Sequence, residues 1–466
     1  MTTPATQTPN STARAATIKP KDRDGVLQAL RAGVVPRTGV QLVQVGRVGE
    51  ISQVVQDIER IADHGSAVRF IIGDYGSGKT FFLNLARSIA LQSKLVVVNA
   101  DLSPDRRIHA TGGQARSLYA ELMRNMATRT KQDGGALASV VERFIMDAKS
   151  AATASGRPVA TIIQERLLPI QELVSGYDFA TVIERYANAF ETGNEIIKAA
   201  ALRWLRGEYN LKTEARDALG VRSIIDDASV YDYFKVMGRF VTLAGYAGFF
   251  IMLDECVNLF KLVSAQSRNA NYEQILRIVN DVLQGTAESF GVYFGGTPEF
   301  LMDSRRGLYS YEALRSRLAE NSFARNGLVD LSGPVIRLQS LTPEDLYILL
   351  GKLRNVFASG NPDAHLVPDD AFSAFMTHCN QKIGDAYFRT PRNTIKAFLD
   401  LLAILEQNPG TDWRSLIAQA DITADQAPTG GDIDDEAPTP ATQHPLKNTD
   451  SSDAGSPDDD LESFRL

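Results

Sequence analysis

The sequence predicts an α/β fold, in which a parallel five-stranded sheet is covered by helices. Three observations favour it: five short apolar runs, longer segments with helical periodicity between them, and a glycine-rich loop directly after the first run. Strands that are covered on both faces tend to be continuously apolar. Because helical segments separate the runs, we expect crossover connections and parallel pairing.

Each predicted strand is short, apolar and built largely from β-branched or aromatic residues. In chain order the strands are "VRFII" at 68–72, "LVVV" at 95–98, "FFIML" at 249–253, "VYFGG" at 292–296 and "VIRL" at 335–338. From about 123 to 233 no strand signal occurs, and apolar residues recur every three or four positions. This pattern predicts a helical insertion, which either carries contacts to a partner or only extends the core.

After residue 338 the pattern is again helical, and we predict a helical lid domain over 341–420. The first lid helix has Thr342 as its N-cap, Pro343 at its first helical position and Asp345 three residues after the cap. These are the residue types preferred at a helix start.

The α/β domain is predicted to span 17–340, between two ends that we expect to be disordered. Residues 1–16 are rich in Thr, Ala and Pro, and residues 421–466 are poor in apolar side chains. The tail contains 12 acidic and 2 basic residues, so the formal charge of −7 is a property of the tail. It is either a solvated tail or an acidic partner-binding segment, and its charge decides nothing about nucleic-acid contact.

Composition also indicates in which cellular compartment the protein is expected. Two cysteines, Cys256 and Cys379, cannot form a disulfide scaffold, and five scattered histidines give no metal-ligand spacing. No apolar run reaches the ~18 residues of a membrane span, and the polar N-terminus lacks a signal-peptide core. We therefore expect a cytoplasmic protein with no membrane association.

The glycine-rich loop "GDYGSGKT" matches G-x-x-x-x-G-K-[ST] and lies between a predicted strand and a predicted helix. In that context backbone N–H groups and the helix N-terminus hold phosphate oxygens, which makes an ordinary glycine-rich turn the weaker interpretation. We expect Lys79 to reach the β- and γ-phosphates of ATP and Thr80 to bind Mg²⁺. The predicted nucleotide-binding residues of the loop are Gly73, Asp74, Tyr75, Gly76, Ser77, Gly78, Lys79, Thr80 and Phe81.

A second candidate group ends the third strand, in "FFIMLDE". Ligands of open α/β sheets bind at the carboxyl ends of the strands. We expect Asp254 to hold Mg²⁺ and Glu255 to activate the attacking water. The alternative is that this pair only begins a solvated loop.

Three further side chains are weaker candidates. Thr297 follows the fourth strand and could touch the γ-phosphate, or it could be a turn threonine before Pro298. Arg317 could stabilise the phosphate of a neighbouring subunit, and Arg392 could contact the nucleotide from the lid. Either arginine could instead be a solvated helix residue.

This order of motifs resembles the AAA+ superfamily of P-loop ATPases, in its branch of origin-recognition and clamp-loading ATPases. "LVQVGRVGEISQVVQDIERI" is similar to the adenine-contacting box of that branch, which would assign Gly46 and Arg47 to nucleotide binding. "LRSRL" resembles its arginine-finger box, and "VIRLQSLTPEDL" its transition into the lid. The resemblance implies a homo-oligomer in which Arg317 serves a neighbouring subunit.

A closer resemblance covers about residues 18–406. "LRAGVVPRTGVQLVQVGR", "GDYGSGKTFFL", "MLDECVNL" and "FGGTPEFLMDSRRGLYSYEALRSRL" look like the BREX-associated ATP-binding proteins (BrxD-like), a bacterial P-loop family linked to phage defence. This implies an ATPase that works on DNA beside a helicase, methyltransferase or nuclease. The chain departs from the AAA+ pattern in its long insertion, and its residues carry no DNA-binding signature.

The first functional hypothesis is a Mg²⁺-dependent AAA+ ATPase that acts as a switch or motor. The second is a scaffold or signalling protein that is gated by ATP with negligible turnover. A small-molecule kinase is disfavoured, because the long lid fits AAA+ better and no acceptor pocket is evident.

Overall fold

The computed structural model describes residues 18–324 and 329–424. Of the two ends predicted to be disordered, 1–16 and 421–466, only residues 421–424 are described, and Ile422 among them is buried. Within the described residues, none of the helices combines the length and apolar character that crossing a membrane requires.

The centre of the fold is one five-stranded sheet in the order β2–β3–β4–β1–β5, and every pairing is parallel. The strands are β1 Ser66–Ile72, β2 Val96–Asp101, β3 Phe249–Asp254, β4 Phe290–Gly296 and β5 Val335–Arg337. All five strands overlap the predicted runs, which confirms the α/β class and the parallel sheet. Parallel pairing aligns the carboxyl ends of the strands along one edge, and this edge receives the candidate site.

Helices precede the sheet, connect its strands and follow it. Before β3 they are α1 Pro20–Arg31, α2 Val48–Ala62, α3 Lys79–Gln92, α4 Gln114–Arg124, α5 Leu137–Ser155, α6 Val159–Gln171, α7 Gly176–Thr192, α8 Glu195–Leu205, α9 Lys212–Leu219 and α10 Val230–Leu243. Between β3 and β5 they are α11 Val257–Phe260, α12 Ala265–Leu283, α13 Pro298–Met302 and α14 Glu312–Leu318. After β5 they are α15 Pro343–Phe357, α16 Asp370–Ile383, α17 Ala386–Arg389, α18 Arg392–Gln407 and α19 Trp413–Gln419.

The segment between β2 and β3 is helical, as its periodicity predicts, and it shares one hydrophobic core with the sheet. Phe179 of α7 and Phe144 of α5 each lie 5.3 Å, centroid to centroid, from Phe240 of α10. The same core contains Val98 of β2 and Ile251 of β3. The inserted helices thus extend the core over one face of the sheet, while α2 and α3 cover the other face.

The helices α15 to α19, which we call the C-terminal helices, form a second core that also includes α1. Val26 and Leu27 of α1 pack with Leu350 of α15 and Phe398 of α18. The predicted α/β domain spans 17–340, but α1, which lies within that range, packs in the core of the C-terminal helices. The physical reason is that the apolar face of an amphipathic helix requires an apolar partner without specifying which one, and here the C-terminal helices provide it.

Candidate nucleotide-binding site

The glycine-rich loop of residues 73–78, which we call the phosphate loop, connects β1 to α3. Gly76 and Gly78 have φ of 79° and 84°, left-handed values that glycine adopts without steric cost. The N–H of Gly73 donates to the carbonyl of Gly296 at 3.2 Å, which ties the loop to the end of β4. A β-carbon at Gly73 would lie 3.1 Å from the carbonyl oxygen of Leu338, so this position has little room for a side chain. The loop therefore has a backbone shape that only small residues permit.

Lys79, the first residue of α3, folds back over this loop. Its ammonium donates to the carbonyl oxygens of Gly73 and Asp74, both at 2.9 Å. Burial lowers the pKa of the Lys79 ammonium, and the charges of Asp254 and Glu255 oppose this change. The cation is thus held inside the loop, close to two acidic groups.

The predicted metal ligands meet although they are far apart in sequence. The Thr80 hydroxyl donates to Oδ2 of Asp254 at 2.7 Å. Asp254 ends β3 and is 7% exposed, and its Oδ1 accepts the backbone N–H of Glu255 at 2.8 Å. The fold therefore joins the end of the phosphate loop to the end of β3.

Glu255 has an unusual backbone and an exposed side chain. Its φ is 55°, a left-handed value that is uncommon for a residue with a β-carbon. Among the described residues, no hydrogen-bond partner is recorded for its carboxylate. Desolvation, followed by the charges of Asp254 and Asp101, raises the pKa of Glu255. A carboxylate of raised pKa in a strained, exposed position is suited to accept a proton from a bound water.

One acidic side chain at this edge is not among the predicted site residues. Asp101 ends β2 and is the register partner of Asp254 on β3. Desolvation and the Asp254 charge raise the pKa of Asp101. The signal was available, because "VVVNAD" also places an acidic residue at the carboxyl end of a predicted strand.

Gly46 and Arg47 lie beside the loop, just before α2. The Arg47 guanidinium donates to the carbonyl of Ser77 and, at 3.3 Å, to that of Gln339. Burial lowers the pKa of Arg47. A β-carbon on Gly46 would lie 3.1 Å from Oδ1 of Asp345, in the capping box of α15. This box confirms the N-cap predicted at Thr342.

The start of α18, one of the C-terminal helices, contacts the phosphate loop. The Arg392 guanidinium lies 3.2 Å from the Tyr75 hydroxyl and 5.7 Å from the centre of its ring. A β-carbon at Gly76 would be 2.7 Å from Cγ2 of Thr390. Phe81 of α3 also packs against the core of the C-terminal helices. Of the predicted residues, Arg392, Tyr75, Gly76 and Phe81 thus meet at this boundary.

Thr297 and Arg317 make hydrogen bonds to residues outside the phosphate loop. Thr297 caps α13 by accepting the N–H of Phe300 at 3.5 Å, as a turn threonine would. The Arg317 guanidinium donates to Oδ1 of Asn280 at 2.6 Å and to the carbonyl of Ala313 at 2.8 Å. Within the described residues, no hydrogen bond joins Arg317 to the phosphate loop. The catalytic roles expected of both residues stay predictions.

Comparison with known families gives one match. A family described as BREX system ATP-binding protein BrxC/D matches residues 18–421 of this chain. None of the curated proteins compared with the chain matches it. The matched range includes the phosphate loop, both strand-end carboxylates and the lid helices.

Proposed function

This chain belongs to the BREX system ATP-binding protein family BrxC/D, and from that premise we propose that it is a Mg²⁺-dependent ATPase of the AAA+ type. The observation that carries the proposal is the 2.7 Å hydrogen bond between the Thr80 hydroxyl and Asp254. It brings together two oxygen ligands beside a candidate base. A protein that only senses ATP has no need of that base.

The loop is proposed to bind the triphosphate of ATP. Backbone N–H groups and the N-terminus of α3 supply positive electrostatic potential at the loop. The Lys79 ammonium exchanges its bonds to the Gly73 and Asp74 carbonyls for bonds to the β- and γ-phosphates. Arg47, which is bonded to the carbonyl of Ser77, fixes the loop on its other side.

The donor set suits Mg²⁺, which prefers oxygen ligands and usually retains several waters and phosphate oxygens. Thr80 and Asp254 would hold it. Among the described residues, no cluster of three or more acidic, His or Cys side chains forms a complete metal cage, and this site does not require one. Mg²⁺ bound there would neutralise charge on the phosphate oxygens.

Glu255 is proposed to orient the attacking water and accept its proton. Its exposed carboxylate lies next to Asp254 along the chain, and its raised pKa makes it a stronger base than an ordinary glutamate. Arg392 would stabilise the phosphate charge from the lid of the same chain. Arg317 would do so from a neighbouring subunit of a homo-oligomer, which agrees with its exposed position on α14.

The setting that we propose is a DNA-linked phage-defence complex in the cytoplasm. The partners would be DNA and a helicase, methyltransferase or nuclease. Family membership is what supports this setting, and the ATP cycle would serve as a switch or motor within it.

Glu255→Gln tests the proposed base. We expect ATP affinity within about twofold of wild type and hydrolysis slower by ~10²–10⁴-fold, because only the proton acceptor is lost. Equilibrium ATP binding and steady-state phosphate release measure the two effects. Glu59→Gln on the exposed side of α2 is the matched control and should leave both unchanged. Turnover by Glu255→Gln at the wild-type rate would refute the assignment.

The dependence of ATPase rate on protein concentration tests the proposed arginine in trans. We expect the rate per subunit to rise with protein concentration in the wild type and to stay low in Arg317→Ala, with the assay run with and without duplex DNA. A flat, near-zero rate across all concentrations would instead favour the alternative function, a scaffold or signalling protein that ATP gates without turnover.

A further inference from the structure

We propose that a segment of the acidic tail, "DIDDE" at 432–436, binds at the mouth of the phosphate loop and competes there with the triphosphate of ATP. We call these five residues the acidic segment, and they lie outside the described residues. The position at which the described chain ends, and the charges around that position, support the assignment. It rests on the proposed function in taking the phosphate loop as the ATP site.

The end of the described chain is fixed to the C-terminal helices. Nε2 of His378 on α16 donates to the carbonyl of Ala420 at 2.8 Å. Ile422 is only 5% exposed and belongs to the core of these helices. The side-chain amide of Asn393 on α18 donates to the carbonyl of Thr423 at 3.0 Å. The fold therefore determines the position from which the following acidic residues start.

This position lies beside the phosphate loop. Asn393 is the second residue of α18, and Arg392 is the first. The Arg392 guanidinium lies 3.2 Å from the hydroxyl of Tyr75 in the phosphate loop. The first turn of α18 thus contacts the phosphate loop through one side chain and Thr423 through the next. The end of the described chain and the loop are therefore separated by about one helix diameter.

The first turn of α18 carries positive charge that the described residues do not balance. Arg392 and Lys396, one turn further along, are both exposed, and no carboxylate of the described chain lies within ion-pair distance of either. No side chain caps the first N–H groups of α18, so the helix end adds positive potential. The other three arginines of the C-terminal helices are each paired with an aspartate, as Arg354–Asp369, Arg389–Asp385 and Arg414–Asp370.

The chain beyond residue 424 has the charge that this helix end lacks. From 425 to 466 there are 11 acidic and 2 basic residues, and four of the acidic ones fall within the acidic segment. The segment begins eight residues beyond 424. Eight residues span at most about 29 Å, which exceeds the ~10–12 Å diameter of a helix with its side chains. The acidic segment is therefore within reach of Arg392.

The carboxylates of the acidic segment and the phosphates of ATP would bind the same cation. A guanidinium group binds carboxylate and phosphate oxygens in the same bidentate geometry. Because the segment belongs to the same chain, its effective concentration at the loop is on the order of millimolar. ATP would have to displace the segment before its phosphates could bind Arg392. The segment would thus lower the affinity for ATP.

The test measures equilibrium binding of ATP to the full chain by calorimetry at low ionic strength. One variant neutralises the acidic segment: Asp432→Asn/Asp434→Asn/Asp435→Asn/Glu436→Gln. It should bind ATP about fivefold more tightly than wild type, as expected for the loss of two exposed ion pairs. The gain should disappear at 1 M salt, where the Debye length is ~3 Å. In an Arg392→Gln background the same substitutions should change ATP affinity by less than about twofold, because their partner is absent.

The matched control removes the same charge from a second acidic cluster, which begins 34 residues beyond 424: Asp458→Asn/Asp459→Asn/Asp460→Asn/Glu462→Gln. It should raise ATP affinity by less than about twofold, because effective concentration falls as the tether lengthens. An equal gain in the control would indicate a general effect of charge and overturn the proposal. So would an unchanged affinity in the 432–436 variant, or a gain that varies with protein concentration, which would indicate contact with a second copy.

The outcome separates this proposal from the proposed function, because binding is measured without turnover. A gain in ATP affinity in a chain that does not hydrolyse ATP would refute the ATPase proposal alone. Hydrolysis by the wild type, with equal ATP affinity in wild type and the 432–436 variant, would refute the role of the acidic segment alone.

Discussion

At the scale of single residues, the candidate site depends on three carboxylates at the ends of two neighbouring strands. Asp101 and Asp254 are register partners, and Glu255 follows directly. A nearby negative charge favours the protonated form of a carboxyl group. Asp254 and Asp101 both contribute in this way to the raised pKa of Glu255. A proposed base with a raised pKa stays protonated, and therefore inactive, to a higher pH than an ordinary glutamate.

Asp101→Asn should move the acid limb of the ATPase pH profile to lower pH. Removing one negative charge lowers the pKa of Glu255, so its basic form appears earlier as pH rises. We expect a shift of up to about one pH unit, measured as kcat against pH. Asp105→Asn, an exposed neighbour in the next loop, is the control. An unmoved limb in Asp101→Asn, or an equal shift in Asp105→Asn, would contradict the role given to Asp101.

At the scale of elements, a buried ion pair fixes α2 against the sheet. Arg69 of β1 donates to both oxygens of Asp57 of α2, at 2.6 and 2.7 Å, and the Tyr293 hydroxyl of β4 donates to the same carboxylate at 2.7 Å. Arg69 also donates to the carbonyls of Leu331 and Ser332, both at 3.0 Å. Because α2 begins directly after Arg47, this network also determines where Arg47 meets the phosphate loop.

Asp57→Ala should destabilise the α/β core by about 3–5 kcal/mol, since it leaves the Arg69 guanidinium buried without its counter-charge. Tyr293→Phe removes one hydrogen bond and should cost about 1 kcal/mol. Urea unfolding followed by far-UV circular dichroism measures both changes in the free energy of unfolding.

The comparison for this pair is Asp147→Ala, which breaks an exposed ion pair with Arg166 and should cost less than about 1 kcal/mol. If Asp57→Ala and Asp147→Ala lowered the free energy of unfolding equally, the buried network would not be what fixes α2 against the sheet.

At the scale of the whole molecule, the C-terminal helices and the α/β core meet at the phosphate loop. Gly76 faces Thr390, and Tyr75 faces Arg392. The hydrophobic core of the C-terminal helices is separate from the two cores that cover the faces of the sheet, so a change in the loop can reach these helices through the contacts at this boundary. We therefore expect bound ATP to act on the position of the C-terminal helices.

Gly76→Ala should weaken ATP binding by about tenfold or more, because its β-carbon collides with Thr390 in a left-handed backbone conformation. Adding Thr390→Gly should recover part of the loss, and calorimetry on the four proteins of this double-mutant cycle measures the coupling.

Gly285→Ala is the matched control, because Gly285 has a similar φ of 71° but no atom near its β-carbon. It should leave ATP affinity unchanged. Additive effects of Gly76→Ala and Thr390→Gly would show that the lid does not press on the loop.

Much of this protein could be predicted from sequence because its signals are local. Continuous apolar runs predict the five strands. Thr342 and Asp345 predict the capping box of α15. The phosphate loop was identifiable because its glycines and Lys79 are contiguous. The family match supports the resemblance on which the ATP assignment rests.

Only the tertiary structure decided which distant elements meet. It placed Asp101 beside Asp254, put α1 in the core of the C-terminal helices, and brought Arg392 to Tyr75. The physical reason is that strand order and helix docking are set by burial of apolar surface across the whole chain. The sequence by itself indicated that a nucleotide is bound, and the fold determined which side chains lie around the glycine-rich loop.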